Sequence, residues 1–171
     1  MFSSKVQHYL GRTVAICIKI LLAAFFIRFF LFTHGRVEGA SMEPTLKNGQ
    51  TFFVNEAVFL FRQPRRYEIV DAFDPVDKNK LIVKRIIGLP GEKIIFKENT
   101  VFIQPPNGAE FALQESYLPK NIINLPEPDK AEIVIPPSSY FIAGDNRQWS
   151  HDSRFYGPVQ RSLINGKVMG F

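Results

Sequence analysis

Between Val14 and Thr33 the chain runs for twenty residues with only Lys19 and Arg28 interrupting an apolar stretch. A helix of that length crosses a ~30 Å hydrocarbon layer, and both cations lie toward its ends, where long side chains reach the headgroups. Such a segment is unsuited to a small soluble core, so it leaves residues 34–171 to form one domain, with 1–13 as a short tail. A removed signal sequence competes with a retained anchor, because Ile20 to Ile27 alone has the length of a signal-sequence apolar region. Arg28 breaks that run, and Val37-Glu38-Gly39-Ala40 makes a poor small-residue cleavage pattern, which favours the anchor. Lys5 and Arg12 ahead of it then predict a single pass through the plasma membrane, with the N-terminus cytoplasmic and everything after Thr33 outside.

The anchor changes how the charge is read. A formal charge of +5 would ordinarily raise nucleic-acid binding, but four of the 21 basic residues (Lys5, Arg12, Lys19, Arg28) and none of the 16 acidic ones precede Gly35. The remainder is nearly neutral, so no nucleic-acid footprint is expected. Cys17 is the single cysteine and lies inside the apolar stretch, which excludes an intrachain disulfide. His8, His34 and His151 show no paired-ligand spacing, and no glycine-rich phosphate loop occurs, so neither a metal nor a cofactor is expected.

From Gln50 onward, short runs rich in Phe, Val and Ile are punctuated by Pro, Gly and Asn. These runs predict strands over 50–55, 67–73, 80–87, 93–96, 101–104, 140–143 and 167–171. No long amphipathic helix is legible after Thr33, and the fold class is mainly β, irregular and antiparallel. Pro105, Pro106, Pro119, Pro126, Pro128, Pro136 and Pro137 mark 104–138 as an insertion of loop with an edge hairpin and little chemistry of its own. Ala57 to Phe61 reads as one helical turn or a lipid-facing loop, and Arg62, Arg65 and Arg66 beside it fit an anionic bilayer surface.

Three polar stretches stand out against this scaffold. In the first, Gly39-Ala40-Ser41-Met42-Glu43-Pro44-Thr45-Leu46, small residues flank a serine; this is either a turn or an accessible hydroxyl. The second is Lys80 to Glu92. As a strand it places Lys84 on one face with Ile82 and Ile86, and Arg85 on the other with Val83 and Ile87. Lys84 either snorkels at a sheet edge or is buried, and burial lowers a lysine pKa. At the ordinary value of ~10.4 about one lysine in 2,500 is neutral at pH 7; at ~8 roughly a tenth is. Such an amine can take a proton from a serine, whereas Arg85 cannot. The third stretch, Gly144 to Arg154, is too rich in Asp, Arg, Asn and Ser for an ordinary solvated turn, and Asp152 and Arg154 are spaced to pair. Ser150-His151-Asp152 is not a triad, because adjacent residues of an extended chain point apart.

Taken together, Ser41-Met42-x-Pro44-Thr45-Leu46, Lys84-Arg85-Ile86-Ile87-Gly88-Leu89-Pro90-Gly91-Glu92 and Gly144-Asp145-Asn146-Arg147-x-x-Ser150-x-Asp152-Ser153-Arg154-x-x-Gly157 resemble the bacterial type I signal peptidases, in order and behind one anchor. The resemblance implies a membrane-anchored serine endopeptidase with Ser41 as nucleophile, Lys84 as general base and Ser150 hydrogen-bonding the lysine amine. It also implies that Asp145, Arg147, Asp152 and Arg154 hold the site's backbone, with Met42 among the supporting residues. Gly39 stands where some members carry a serine that donates to the oxyanion, which leaves backbone N–H groups, chiefly that of Ser41, for that task. The implied substrates are secretory pre-proteins, bound as an added strand with small residues at the first and third positions before the cut. No cofactor, nucleic acid or obligate protein partner is implied. The chain departs from the family at Arg66-Tyr67-Glu68-Ile69-Val70-Asp71, where Arg-Gly-Asp and apolar residues are usual. Two alternatives remain open: a relative dedicated to pilin or another membrane substrate, and an inactive envelope binding domain.

Overall fold

The computed structural model describes residues 4–119 and 131–170. Helix α1 (Ser4–Leu31) passes directly into β1 (Phe32–Arg36), followed by β2 (Thr51–Asn55), the single turn α2 (Val58–Phe61), β3 (Ile69–Phe73), β4 (Leu81–Gly88), β5 (Lys93–Lys97), β6 (Thr100–Gln104) and β7 (Phe111–Ala112). After the insertion come β8 (Glu132–Val134), β9 (Ser139–Ala143), the short α3 (Ser153–Tyr156), β10 (Val159–Gln160) and β11 (Ile164–Met169). Within α1, His8–Phe26 is long and apolar enough to cross a membrane, and none of it is buried against the described residues.

Antiparallel pairing builds a seven-stranded sheet in the order β1-β2-β11-β3-β4-β9-β10 and a four-stranded sheet in the order β7-β6-β5-β8. The apolar, β-branched run Ile82-Val83 and Ile86-Ile87 makes β4 a central strand buried on both faces. Ile86 enters a core with Val70, Tyr140 and Ile142, while Ile87 enters a second core with Ile94, Ile103 and Phe141, between the two sheets. A third cluster gathers Val37, Met42, Leu46, Phe52, Val54 and Ile69. Among the described residues, the N-terminal half of β4 pairs only on the β3 side, from Leu81 to Arg85. Its pairing with β9 begins at Arg85. Leu81 to Lys84 therefore present a free strand edge.

The structure corrects several expectations. Phe32 and Thr33 belong to β1, so the apolar segment ends two residues early as a helix. Strands β1, β7, β8 and β10 were not legible, since they are short or depend on distant partners. The last strand begins at Ile164 and not at Lys167, because Asn165-Gly166 sits in a bulge between β11 and β3. Residues 1–3 of the tail, residues 120–130 of the insertion with Pro126 and Pro128, and Phe171 lie outside the described residues. The 57–61 stretch does form a helical turn, with Phe59 buried and Leu60 and Phe61 exposed. Two of its neighbouring arginines are already committed, Arg62 to Glu68 and Arg66 to Glu92.

Candidate active site

Ser41 sits in a turn pinned from beneath. Met42 and Leu46 are fully enclosed in the third core cluster, and the Leu46 N–H donates to the Met42 carbonyl at 2.9 Å. From the opposite side, the Asn146 N–H donates to the Ser41 carbonyl at 3.0 Å, which joins the turn to the loop after β9. Gly144 permits that approach: a Cβ there would lie 2.4 Å from the Ser41 carbonyl oxygen and 2.3 Å from Ser150 Oγ. No larger residue fits between the two segments.

Lys84 reaches this turn from β4. Its Nζ donates to Ser41 Oγ at 2.8 Å, and only 4% of the residue is exposed. Burial lowers its pKa to about 8, against the opposing pull of the Asp152 and Asp74 carboxylates. The edge-strand reading of Lys84 is thereby replaced by a buried amine in contact with a serine.

Behind the pair, buried charges fix the loop. Asp145 is fully enclosed and accepts from Arg85 Nε at 2.8 Å and Nη2 at 2.6 Å, a bidentate pair, and also from the Thr45 hydroxyl. Asp152 caps α3 by accepting the Arg154 N–H, and its carboxylate also takes the Gly144 N–H at 2.9 Å and the Ser150 hydroxyl at 2.7 Å. Burial pushes the Asp152 pKa up, but the Arg154 guanidinium and these donors overcome it and hold the carboxyl below its ordinary value. Arg154 Nη2 donates onward to the Arg147 carbonyl at 2.6 Å and the Ser150 carbonyl at 3.2 Å. Arg147 donates to the Gly144 carbonyl at 3.0 Å and pairs with Glu115. The expected Asp152–Arg154 pair thus exists, but as a helix cap and first-turn residue, not along an extended strand.

Ser150 differs from the family-based expectation. Its hydroxyl donates to Asp152 Oδ2, and the direct bond to the Lys84 amine is not made. Gly39 is exposed at the cleft rim with φ of +86°, a left-handed conformation that glycine accepts readily. Its N–H donates to Asn48 Oδ1 at 3.0 Å. His151 stacks on Phe155 with ring centroids 5.1 Å apart and makes no hydrogen bond to Ser41. Ser41 and Lys84 open into a cleft of about 930 Å³ walled by β1, β4, the 38–42 turn, Trp149 and His151.

Residues 10–171 match the family described as signal peptidase, peptidase S26. The chain belongs to that family. Among its relatives, signal peptidase I T of Bacillus subtilis is 40% identical over 156 residues, covering 88% of this chain and 77% of the relative. Signal peptidase IB of Staphylococcus aureus is 32% identical over 165 residues, covering 91% and 84%. A crystal structure of a signal peptidase I from Enterococcus faecalis matches with a TM-score of 0.51 and 28% identity, covering 63% of this chain and 98% of that one. Membership makes the chain a serine endopeptidase, and its apolar N-terminal helix fits the family's association with membranes.

Within this S26 domain the sequence reading missed Arg85 and Thr45, which hold Asp145, and Glu115 and Tyr117. Tyr117 lies under the Arg85 guanidinium, 4.0 Å from ring centroid to carbon. These two insertion residues carried no local signal, because their partners stand far away in sequence. The atypical Tyr67 keeps a φ of 71°, so the backbone stays where a glycine would put it, and its carbonyl accepts from Arg85 Nη1 at 2.9 Å.

Proposed function

We propose that this peptidase removes signal peptides from exported pre-proteins, with Ser41 and Lys84 as its catalytic dyad. The observation that carries this reading is the 2.8 Å contact between a buried lysine amine and the serine hydroxyl. With the Lys84 pKa near 8, about a tenth of the amine is neutral at pH 7. The neutral amine takes the Ser41 Oγ proton as Oγ attacks the scissile carbonyl carbon. The resulting oxyanion is held by backbone N–H groups; that of Ser41 donates to no described residue and is available. When the C–N bond breaks, the Lys84 ammonium returns the proton to the leaving amine. Water, deprotonated by the same lysine, then hydrolyses the Ser41 ester.

The free edge from Leu81 to Lys84 supports binding of the substrate as an added strand ending beside the dyad. The topology follows from Lys5 and Arg12: residues 1–13 cytoplasmic, the anchor within 14–33 in the plasma membrane, and the domain from 34 onward outside. Because β1 follows α1 without a linker, the cleft stays near the membrane surface where a signal peptide's end emerges. The full chain in detergent, incubated with a pre-protein, should yield one new N-terminus after the signal peptide, and Ser41→Ala should yield none. Cleavage by Ser41→Ala, or none by the parent chain, would overturn the reading.

A further inference from the structure

The dyad leaves one buried charge on the cleft wall unexplained. Asp71, in the middle of β3, is 5% exposed, yet it lines the same cleft as Ser41 and Lys84. Its Oδ2 accepts from Asn165 Nδ2 at 3.1 Å, while its Oδ1 accepts no hydrogen bond among the described residues, and none of their Lys or Arg side chains pairs with it. An enclosed carboxylate without a counter-ion is costly. Burial pushes its pKa up to about 6, with the Asn165 bond opposing and the Glu56 charge adding. The neighbouring backbone serves this arrangement. The bulge in β11 places Asn165 where its amide also donates to Glu56 Oε1 at 3.3 Å, and Thr33 donates to the same oxygen at 2.8 Å. Two carboxylates thus share neutral donors and lack a cation. By contrast Asp74 and Asp77, which also line the cleft, spend carboxylate oxygens on turn N–H groups.

We propose that Asp71, supported by Glu56, binds a lysine or arginine side chain of the substrate upstream of the cut, so that this peptidase selects substrates with a basic residue there. The inference rests on the proposed cleavage at Ser41. Asp71 faces Val83 across the β3–β4 pair, and Val83 immediately precedes Lys84 on the free edge. A substrate strand added to that edge would run one strand spacing from Val83 and two, ~10 Å, from Asp71. A small side chain cannot bridge that gap, whereas a lysine or arginine stem can lie along the apolar Val83 and bring its charge to the carboxylate. Thr33 and Glu56 place this wall at the anchor end of the cleft, since Thr33 stands two residues after α1. A signal peptide's membrane-inserted part precedes its cleavage point, so the residue meeting this wall lies upstream.

The test uses the full chain in detergent micelles and a peptide series with lysine, glutamine or glutamate at each of the second to sixth positions before the cut. At one position the lysine peptide should exceed its glutamine counterpart by about tenfold in kcat/KM, with glutamate poorer still. Asp71→Asn, nearly isosteric, should bring the lysine-to-glutamine ratio to about one, and a ratio cancels any general loss of active enzyme. Should Asp71→Asn fail to fold, Glu56→Gln should still lower the ratio several-fold. A lysine preference that survives in these variants overturns the proposal, as does its absence from the parent at every position. Cleavage without lysine preference removes the subsite alone; a parent that cuts none of the peptides overturns the peptidase reading and the subsite with it.

Discussion

In the four-stranded sheet the ion pairs stand outside: Lys93–Glu132 and Lys97–Glu110 join side chains that are roughly a third to a half exposed, over a core of Ile94, Val101 and Ile103. Behind Ser41 the ion pairs are inside: Arg85–Asp145, Arg154–Asp152 and Arg147–Glu115 join side chains that are at most 10% exposed. The first kind is worth little, since water already solvates both partners. The second kind adds little net stability over an apolar core but penalises any displacement that would strand a charge. The difference locates where the chain needs rigidity, in the Gly144–Arg154 loop that holds the Ser41 carbonyl, and where ordinary apolar packing suffices.

The largest effect should come from Lys84, the buried amine in contact with Ser41, which pairs with no carboxylate among the described residues. Lys84→Arg keeps charge and much of the bulk but cannot be deprotonated. Peptide cleavage should fall by at least about 10³-fold, with circular dichroism unchanged. Retention of a tenth of the activity would return Lys84 to a structural role and remove the contrast with its paired neighbours.

The paired charges should show their difference in stability. Asp152→Asn keeps an oxygen to cap α3 but strands the Arg154 charge, and should cost about 3–5 kcal/mol in denaturant melts. Lys97→Ala, which breaks an exposed pair, should cost less than about 1 kcal/mol. Similar losses would mean that burial does not separate the two kinds. Glu115→Gln tests the contact that crosses between the regions. It leaves a hydrogen-bond acceptor for Arg147 but removes its charge, so an intermediate loss of about 2 kcal/mol is expected.

These pairs also show what the sequence could carry. The alternation in β4 was enough to place Lys84 and Arg85 on opposite faces, and the crowding of Asp, Arg and Ser after β9 marked the supporting loop. Both are local signals. Glu115 and Thr45 were not legible, because what makes them functional is a partner 32 or 100 residues away. The same reason hid β1, whose Phe32 and Thr33 read as the end of an apolar helix until β2 pairs with them. It also explains why 104–138 was read as loop with little chemistry, although it sends Glu115 to Arg147 in the Gly144–Arg154 loop and Tyr117 against Arg85 of β4.

Rate against pH sharpens the distinction between free and paired charges further. As the proposed general base Lys84 would act when neutral, and burial lowers its pKa to about 8. The rate should therefore rise about fivefold from pH 7 to 8, and level off above about pH 9. Because the Asp152 carboxylate raises the Lys84 pKa, Asp152→Asn should move the rise to lower pH in whatever fraction remains folded. A rise that stays in place would mean that the two charges do not sense each other.

The smallest effect is expected at Gly39, at the rim where neither apolar packing nor an ion pair restrains the chain. No atom of the described residues lies within 4 Å of where a Cβ would stand, so the position has room, but its φ of +86° is strained for any residue with a side chain. Gly39→Ala and Gly39→Ser should each cost about 1–2 kcal/mol of stability for that conformation, while Gly39→Asn, which tolerates it better, should cost less. Activity separates backbone from side chain. If the oxyanion rests on the Ser41 N–H alone, alanine and serine should both stay within about tenfold of the parent. A serine variant at least tenfold faster than the alanine variant would show that its hydroxyl reaches the oxyanion. Equal loss of more than a hundredfold in both, with asparagine active, would show that the left-handed turn at Gly39 is what aims the Ser41 N–H, making this unpacked glycine as exacting as the buried ion pairs behind it.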